Sequence, residues 1–125
     1  MQRFLLDTSA ILHILDSTEK GKKAIKLVSS GEVITSIICY CEVLNKTNLD
    51  KQTIAEEFLS KLLVFQVTLE DGNIAKQFQN SCRKSGKFVP TTDCLIAATA
   101  ANNKAVVVAT DSDFERISGI EKIIL

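Results

Sequence analysis

Residues 4–12, Phe4-Leu5-Leu6-Asp7-Thr8-Ser9-Ala10-Ile11-Leu12, decide how the chain is read. Three apolar residues run straight into an aspartate. Thr8-Ser9 then open a segment with helical spacing: Ile11, Leu12, Ile14 and Leu15. This pattern predicts a buried strand ending in a carboxylate. A helix from about Thr8 to Leu15 should follow, capped by the carboxylate or the hydroxyls. Open α/β sheets bind ligands outside the carboxyl ends of their strands. Asp7 therefore stands where a ligand site is expected, and the question for every other acid is whether it converges there.

Outward from this stretch, strands and helices alternate. A polar turn containing Gly21 precedes a helix from about Lys22 to Ser29, with Ala24, Ile25, Leu27 and Val28 inward and Gly31 as its stop. Glu32 to Thr35 reads as a short strand, and Ser36 can cap a helix from Ile37 to about Lys46. Its expected inward stripe is Ile37, Ile38, Cys41 and Leu44, with Glu42 on the border. Thr53 to Leu62 reads as a helix with Ile54, Phe58, Leu59 and Leu62 inward, and Val64 to Val67 as a strand. A long helix, about Glu70 to Ser85, turns Ile74, Ala75 and Phe78 to one face and ends at Gly86. Pro90-Thr91-Thr92-Asp93 is a helix start. The alanine-rich segment after it makes a thin helix able to pack closely on a sheet. Ala105 to Val108 is a strand that runs into Thr110-Asp111-Ser112-Asp113. A short helix and a last strand, Ile123 to Leu125, complete the pattern.

Such alternation predicts an α/β fold with a mostly parallel sheet and helices on both faces. If the strands ending at Asp7 and Asp111 are neighbours where the strand order reverses, their carboxylates meet.

A length of 125 residues fits one domain, 1–125. With 46% hydrophobic and 24% charged residues, the composition is globular and not disordered. Basic and acidic residues balance at 15 each, so no global positive field attracts nucleic acid. Any such binding must rest on a local patch or on metal ions. Arg83, Lys84 and Lys87 form the one tight basic cluster; it reads either as a solvated helix end complementing the dipole or as a phosphate-contacting rim. No apolar run approaches the roughly 18 residues of a membrane span. No charged-then-apolar leader opens the chain, and the expected compartment is the cytoplasm. The four cysteines lack a CxxC pair and read as small buried hydrophobes in a reducing compartment, not as a zinc site. His13 reads as a partly exposed helix residue.

Each acid alone has a plain explanation. Asp7 and Asp111 can be N-caps, Asp93 a first-turn acid favoured by the dipole, and Glu42 a solvated helix residue. Jointly they are harder to dismiss. Carboxylates brought close together repel, and one must protonate unless a cation lies between them. Oxygen-only ligands, without His or paired Cys, select Mg²⁺ or Mn²⁺ over zinc. A hard-cation site at a strand end suits hydrolysis of phosphate esters.

LLDTSAIL, the isolated Glu42, DCLIAATA and TDSDF, in this order, resemble the PIN domain, most closely the small ribonuclease toxins of VapC type. The resemblance runs from Phe4 through Leu125. It implies a three-layer α/β/α sandwich with strand order 3-2-1-4-5. It implies a Mg²⁺- or Mn²⁺-dependent endoribonuclease acting on single-stranded RNA, a homodimer, and a cognate antitoxin that blocks the site. Carried over, the metal acids are Asp7, Glu42, Asp93 and Asp111. Ser9 resembles the hydroxyl residue supporting the first acid, and Asp113 an additional nearby acid. Many relatives carry Thr two residues before the last metal acid; this chain has Ala109 there, with Thr110 beside it. Ile54, Phe58 and Leu62 can serve a dimer interface as well as a core.

Other readings fit less well. A haloacid-dehalogenase-like phosphatase needs a second Asp where Ser9 stands. A receiver domain needs a phospho-accepting Asp ending its third strand, where the chain has Val67-Thr68-Leu69. The rival of another class is a catalytically silent PIN-fold module that binds RNA or protein. Retention of all four acids argues against it, since a pure binder has no need of such a repulsive set.

Overall fold

The computed structural model describes residues 1–125. Five parallel strands form one sheet in the order β3-β2-β1-β4-β5: β1 (Arg3–Leu6), β2 (Glu32–Ser36), β3 (Leu63–Phe65), β4 (Ala105–Ala109) and β5 (Lys122–Ile124). The six α-helices are α1 (Thr8–Leu15), α2 (Glu19–Val28), α3 (Ile37–Lys46), α4 (Gln52–Leu59), α5 (Leu69–Lys84) and α6 (Thr91–Asn102). Together they make the expected α/β/α sandwich with sheet order 3-2-1-4-5. The central strands are buried on both faces, which is why β1 and β4 read as unbroken apolar runs. In α6, Ala97, Ala98 and Ala100 are all buried, so this thin helix lies deep against its neighbours.

The sheet order reverses between β1 and β4. Leu6 pairs with Val108, and the Asp7 amide donates to the Val108 carbonyl at 3.1 Å. Buried Thr35 adds a tie from β2, its hydroxyl donating to the Leu6 carbonyl at 2.8 Å. The carboxyl ends of β1 and β4 are thus locked side by side.

Several local expectations are corrected. Helix α2 begins at Glu19, capped by Thr18, so Gly21 lies in its first turn and not in a preceding loop. A Cβ at Gly21 would collide with the His13 backbone carbonyl, so glycine is what lets α2 close onto α1. The buried face of α2 is Gly21, Ala24 and Val28, leaving Ile25 exposed. In α3 the inward residues are Cys39 and Val43, while Ile37 and Cys41 are exposed and Ile38 and Leu44 are half-buried. Apolar residues ring that helix almost completely, so spacing alone fits two stripes equally well. Cys41 is therefore not a core residue, unlike Cys39, Cys82 and Cys94, and all four thiols are free. Ile54 of α4 points to solvent; Ala55 and Leu59 are its buried positions. The short helix after β4 is a single 3₁₀ turn, Asp113–Arg116.

Candidate active site at the carboxyl ends of β1 and β4

Asp7 is the residue just past β1, and its carboxylate is almost fully buried. It does cap α1: Oδ1 accepts from the Ala10 amide at 2.9 Å. The Ser9 hydroxyl lies 2.8 Å from Oδ1 and 3.0 Å from Oδ2. Ser9 Oγ itself accepts the Thr110 amide at 3.0 Å. The chain leaving β4 therefore holds Ser9, and Ser9 holds Asp7. Thr110 contributes its backbone here, with Ala109 buried in the strand below.

Glu42 emerges from α3 on the flank of the Cys39–Val43 stripe. Its Oε1 accepts the Thr8 hydroxyl at 2.6 Å, which ties α3 to the first turn of α1. Asp93 lies in the first turn of α6. Asp111 is exposed on the loop after β4, and its Oδ1 accepts the Asp113 amide at 3.0 Å. These five acids come from four separate parts of the chain, and all line one cleft of about 290 Å³. Lys46, one turn beyond Glu42, and Thr92 line it as well. Neither residue stands out in the sequence, because both come to the cleft through tertiary packing.

The electrostatics record the crowding. Burial pushes the Asp7 carboxyl up to about 6; the Ala10 amide and the Ser9 hydroxyl act against the rise, and Asp111 adds to it. Asp93 is pushed up to about 7, by burial first and then by Asp113, Asp111, Asp7 and Glu42, with no hydrogen bond opposing. Beneath them the Cys39 thiol is pushed up to about 12, mainly by burial and then by Asp7. It stays a neutral packing group and not a thiolate nucleophile.

No three of the acids stand close enough to enclose an ion as placed. Their donor chemistry nevertheless fits a hard divalent cation: it is all oxygen, strongly anionic, and mutually repulsive without a counter-charge. Asp111, the one exposed member, stands on a loop, and half-buried Glu42 on a helix flank.

The basic residues lie elsewhere. Arg83 and Lys87 line a separate cleft of about 310 Å³ on the other side of the loop that leads into α6. Lys84 is exposed and does not line it.

Among curated proteins none matches this sequence. Solved structures match it over nearly its full length. A VapBC complex of Rickettsia felis bound to a DNA fragment from its promoter aligns with a TM-score of 0.85 at 17% identity, covering 99% of both chains. A DNA-bound VapBC of Salmonella typhimurium aligns at 0.83 and 27% identity, over 99% of this chain and 98% of that one. A VapC toxin of Mycobacterium tuberculosis that cleaves the sarcin–ricin loop aligns at 0.69 and 18% identity, over 96% and 98%. The PIN domain family matches residues 4–120, the span that carries every acid of the cleft. The chain is a member of the PIN domain family.

Proposed function

We propose that the chain is a divalent-cation-dependent endoribonuclease of VapC toxin type, acting on single-stranded RNA. One observation carries this reading: five carboxylates from separate segments share a cleft at the strand-order reversal, two of them pushed towards neutrality by burial and by their neighbours. A protein spends stability to hold such a set, and a bound cation relieves the cost.

Asp7, Glu42, Asp93 and Asp111 would hold Mg²⁺ or Mn²⁺. The ion would activate water and stabilise charge on the phosphoryl oxygens. The side chains divide the remaining work. Asp7 is held on one flank by Ser9 and the Ala10 amide, so its carboxylate is pre-oriented. Thr8 fixes one oxygen of Glu42. Asp93 has no internal donor, which leaves it free to orient the attacking water. Asp113 adds negative charge at the rim. No Ser–His or Cys–His pair lines the cleft, so water is the nucleophile.

The partners follow the same reading. A groove of about 370 Å³ runs beside the acid cleft, and Leu12 and Lys46 line both. Exposed Ile54 faces this groove, which fits the apolar side of an antitoxin tail better than the core role expected from its spacing. By its likeness to VapC-type toxins, the chain is proposed to be a single-domain, cytoplasmic homodimer. The test is an assay of the purified chain on single-stranded RNA with Mg²⁺ or Mn²⁺. Cleavage abolished by EDTA is expected. RNA binding without cleavage under any divalent cation would make the chain a silent module.

A further inference from the structure

Phe88 is 76% exposed, while the other five phenylalanines are buried or half-buried. The ring is not on a loose loop. Its neighbour Val89 is buried, and its backbone carbonyl accepts the Arg116 guanidinium at 3.1 Å. Gln79 of α5 donates to the Thr91 hydroxyl at 2.9 Å and closes the floor of the same cleft. An aromatic side chain is thus presented to solvent on an anchored backbone, in the cleft that Arg83 and Lys87 also line.

The segment 89–92 joins this basic cleft to the acid one. Val89 and Thr91 line the basic cleft, and Pro90 and Thr92 line the acid cleft. The entry to α6 and its first turn therefore contribute side chains to both sites. A strand whose scissile phosphate sits among the acids can continue across this segment into the basic cleft. In a chain of zero net charge, the cation pair Arg83 and Lys87 offers neighbouring phosphates a local attraction.

We infer that the Phe88 cleft is a subsite for an unpaired nucleotide flanking the cleavage point. Phe88 stacks on the base, and Arg83 and Lys87 contact the adjoining phosphates. Stacking needs an open π-face, so the subsite selects single-stranded over duplex substrate without selecting a sequence. This deepens the ribonuclease reading and rests on it.

The probe is a hexaribonucleotide carrying 2-aminopurine, titrated in EDTA at low salt, with anisotropy for binding and fluorescence quenching for stacking. Phe88→Ala should weaken binding about tenfold or more and abolish the quench, with an unchanged salt slope. Phe88→Trp should keep both signals, whereas Phe88→Leu should lose the quench. Arg83→Ala and Lys87→Ala should each lower the salt slope by about one. If Phe88→Ala binds and quenches as the parent does, the subsite falls and the nuclease reading stands. If Phe88→Leu matches the parent in both signals, the ring acts only as an apolar surface and the stacking role falls. If the unmodified chain binds no RNA in EDTA, the subsite falls, and the cleavage assay with Mg²⁺ or Mn²⁺ decides the nuclease reading separately.

Discussion

Asp71 and Asp93 occupy the same local position, the third residue of a helix, in helices that pack against each other. The protein treats them in opposite ways. Asp71 is fully buried and surrounded by donors. Its carboxylate accepts the Thr68 amide at 3.0 Å and the Asn102 amide group at 2.9 Å, and the Thr99 hydroxyl lies at 3.5 Å. It thereby caps α5 and clips that start to the end of α6. Asp93 has no donor and faces four other acids. A buried carboxylate with its oxygens satisfied is a fastening. A carboxylate denied donors and set among like charges waits for a ligand.

The largest effect that sharpens this contrast is on activity. Asp93→Asn should lower RNA cleavage with Mg²⁺ or Mn²⁺ on the order of 100-fold or more. The same variant in EDTA should melt no earlier than the parent, because a repulsive charge is gone. A variant that cleaves at the parent rate would remove Asp93 from the site. One that also melts much earlier would make it a fastening like Asp71.

The next effect is on stability. Asp71→Ala removes one half of the capping box and the ties to Asn102 and Thr99, while exposed Thr68 and Asn102 can turn to water. The lost cap costs about 1–2 kcal/mol. Thermal melting should show that loss in EDTA and in Mg²⁺ alike, since no cation is involved. A loss confined to the Mg²⁺ condition would mean that Asp71 acts through the acid cleft and that the contrast fails.

The sequence exposes one half of this contrast and hides the other. Asp7 and Asp111 are legible because each follows an apolar run, and parallel sheets bury their central strands on both faces. Asp93 is legible from its helix-start signal, and Glu42 as a lone acid beside an apolar stripe. Asp71 looks like any first-turn acid, because its partners Thr99 and Asn102 lie 28 and 31 residues away. Thr8 and Lys46 are hidden for the same reason; the Thr8–Glu42 bond spans 34 residues. The inward face of α3 is misread because apolar residues surround it, and only the docking of Cys39 beneath the acids selects one stripe. Chain order reveals which elements meet, whereas partner choice at a given position is decided by packing that spacing does not encode.

The smallest effect is on the pH dependence of stability without a cation. A free Asp titrates at 3.8, whereas in the folded chain Asp7 titrates at about 6 and Asp93 at about 7. Above pH 7 both are charged in the folded and the unfolded chain, and the folded chain bears the full repulsion. Between about 4 and 7 the folded chain binds protons that the unfolded chain has already released. By linkage, these two groups make the fold more stable as pH falls through that window, and the gain is complete near 4. The rest of the chain adds its own pH dependence, which the variant and the parent share, so the decisive quantity is a difference. In EDTA, the melting temperature of Asp93→Asn relative to the parent should be higher at pH 8 than at pH 5. Excess Mg²⁺ should raise the parent's melting temperature more at pH 8 than at pH 5, because a cation binds the charged form of the cleft. A difference between variant and parent that stays constant across the range would show that Asp93 is not crowded by its neighbours, and the distinction from Asp71 would then rest on donor count alone.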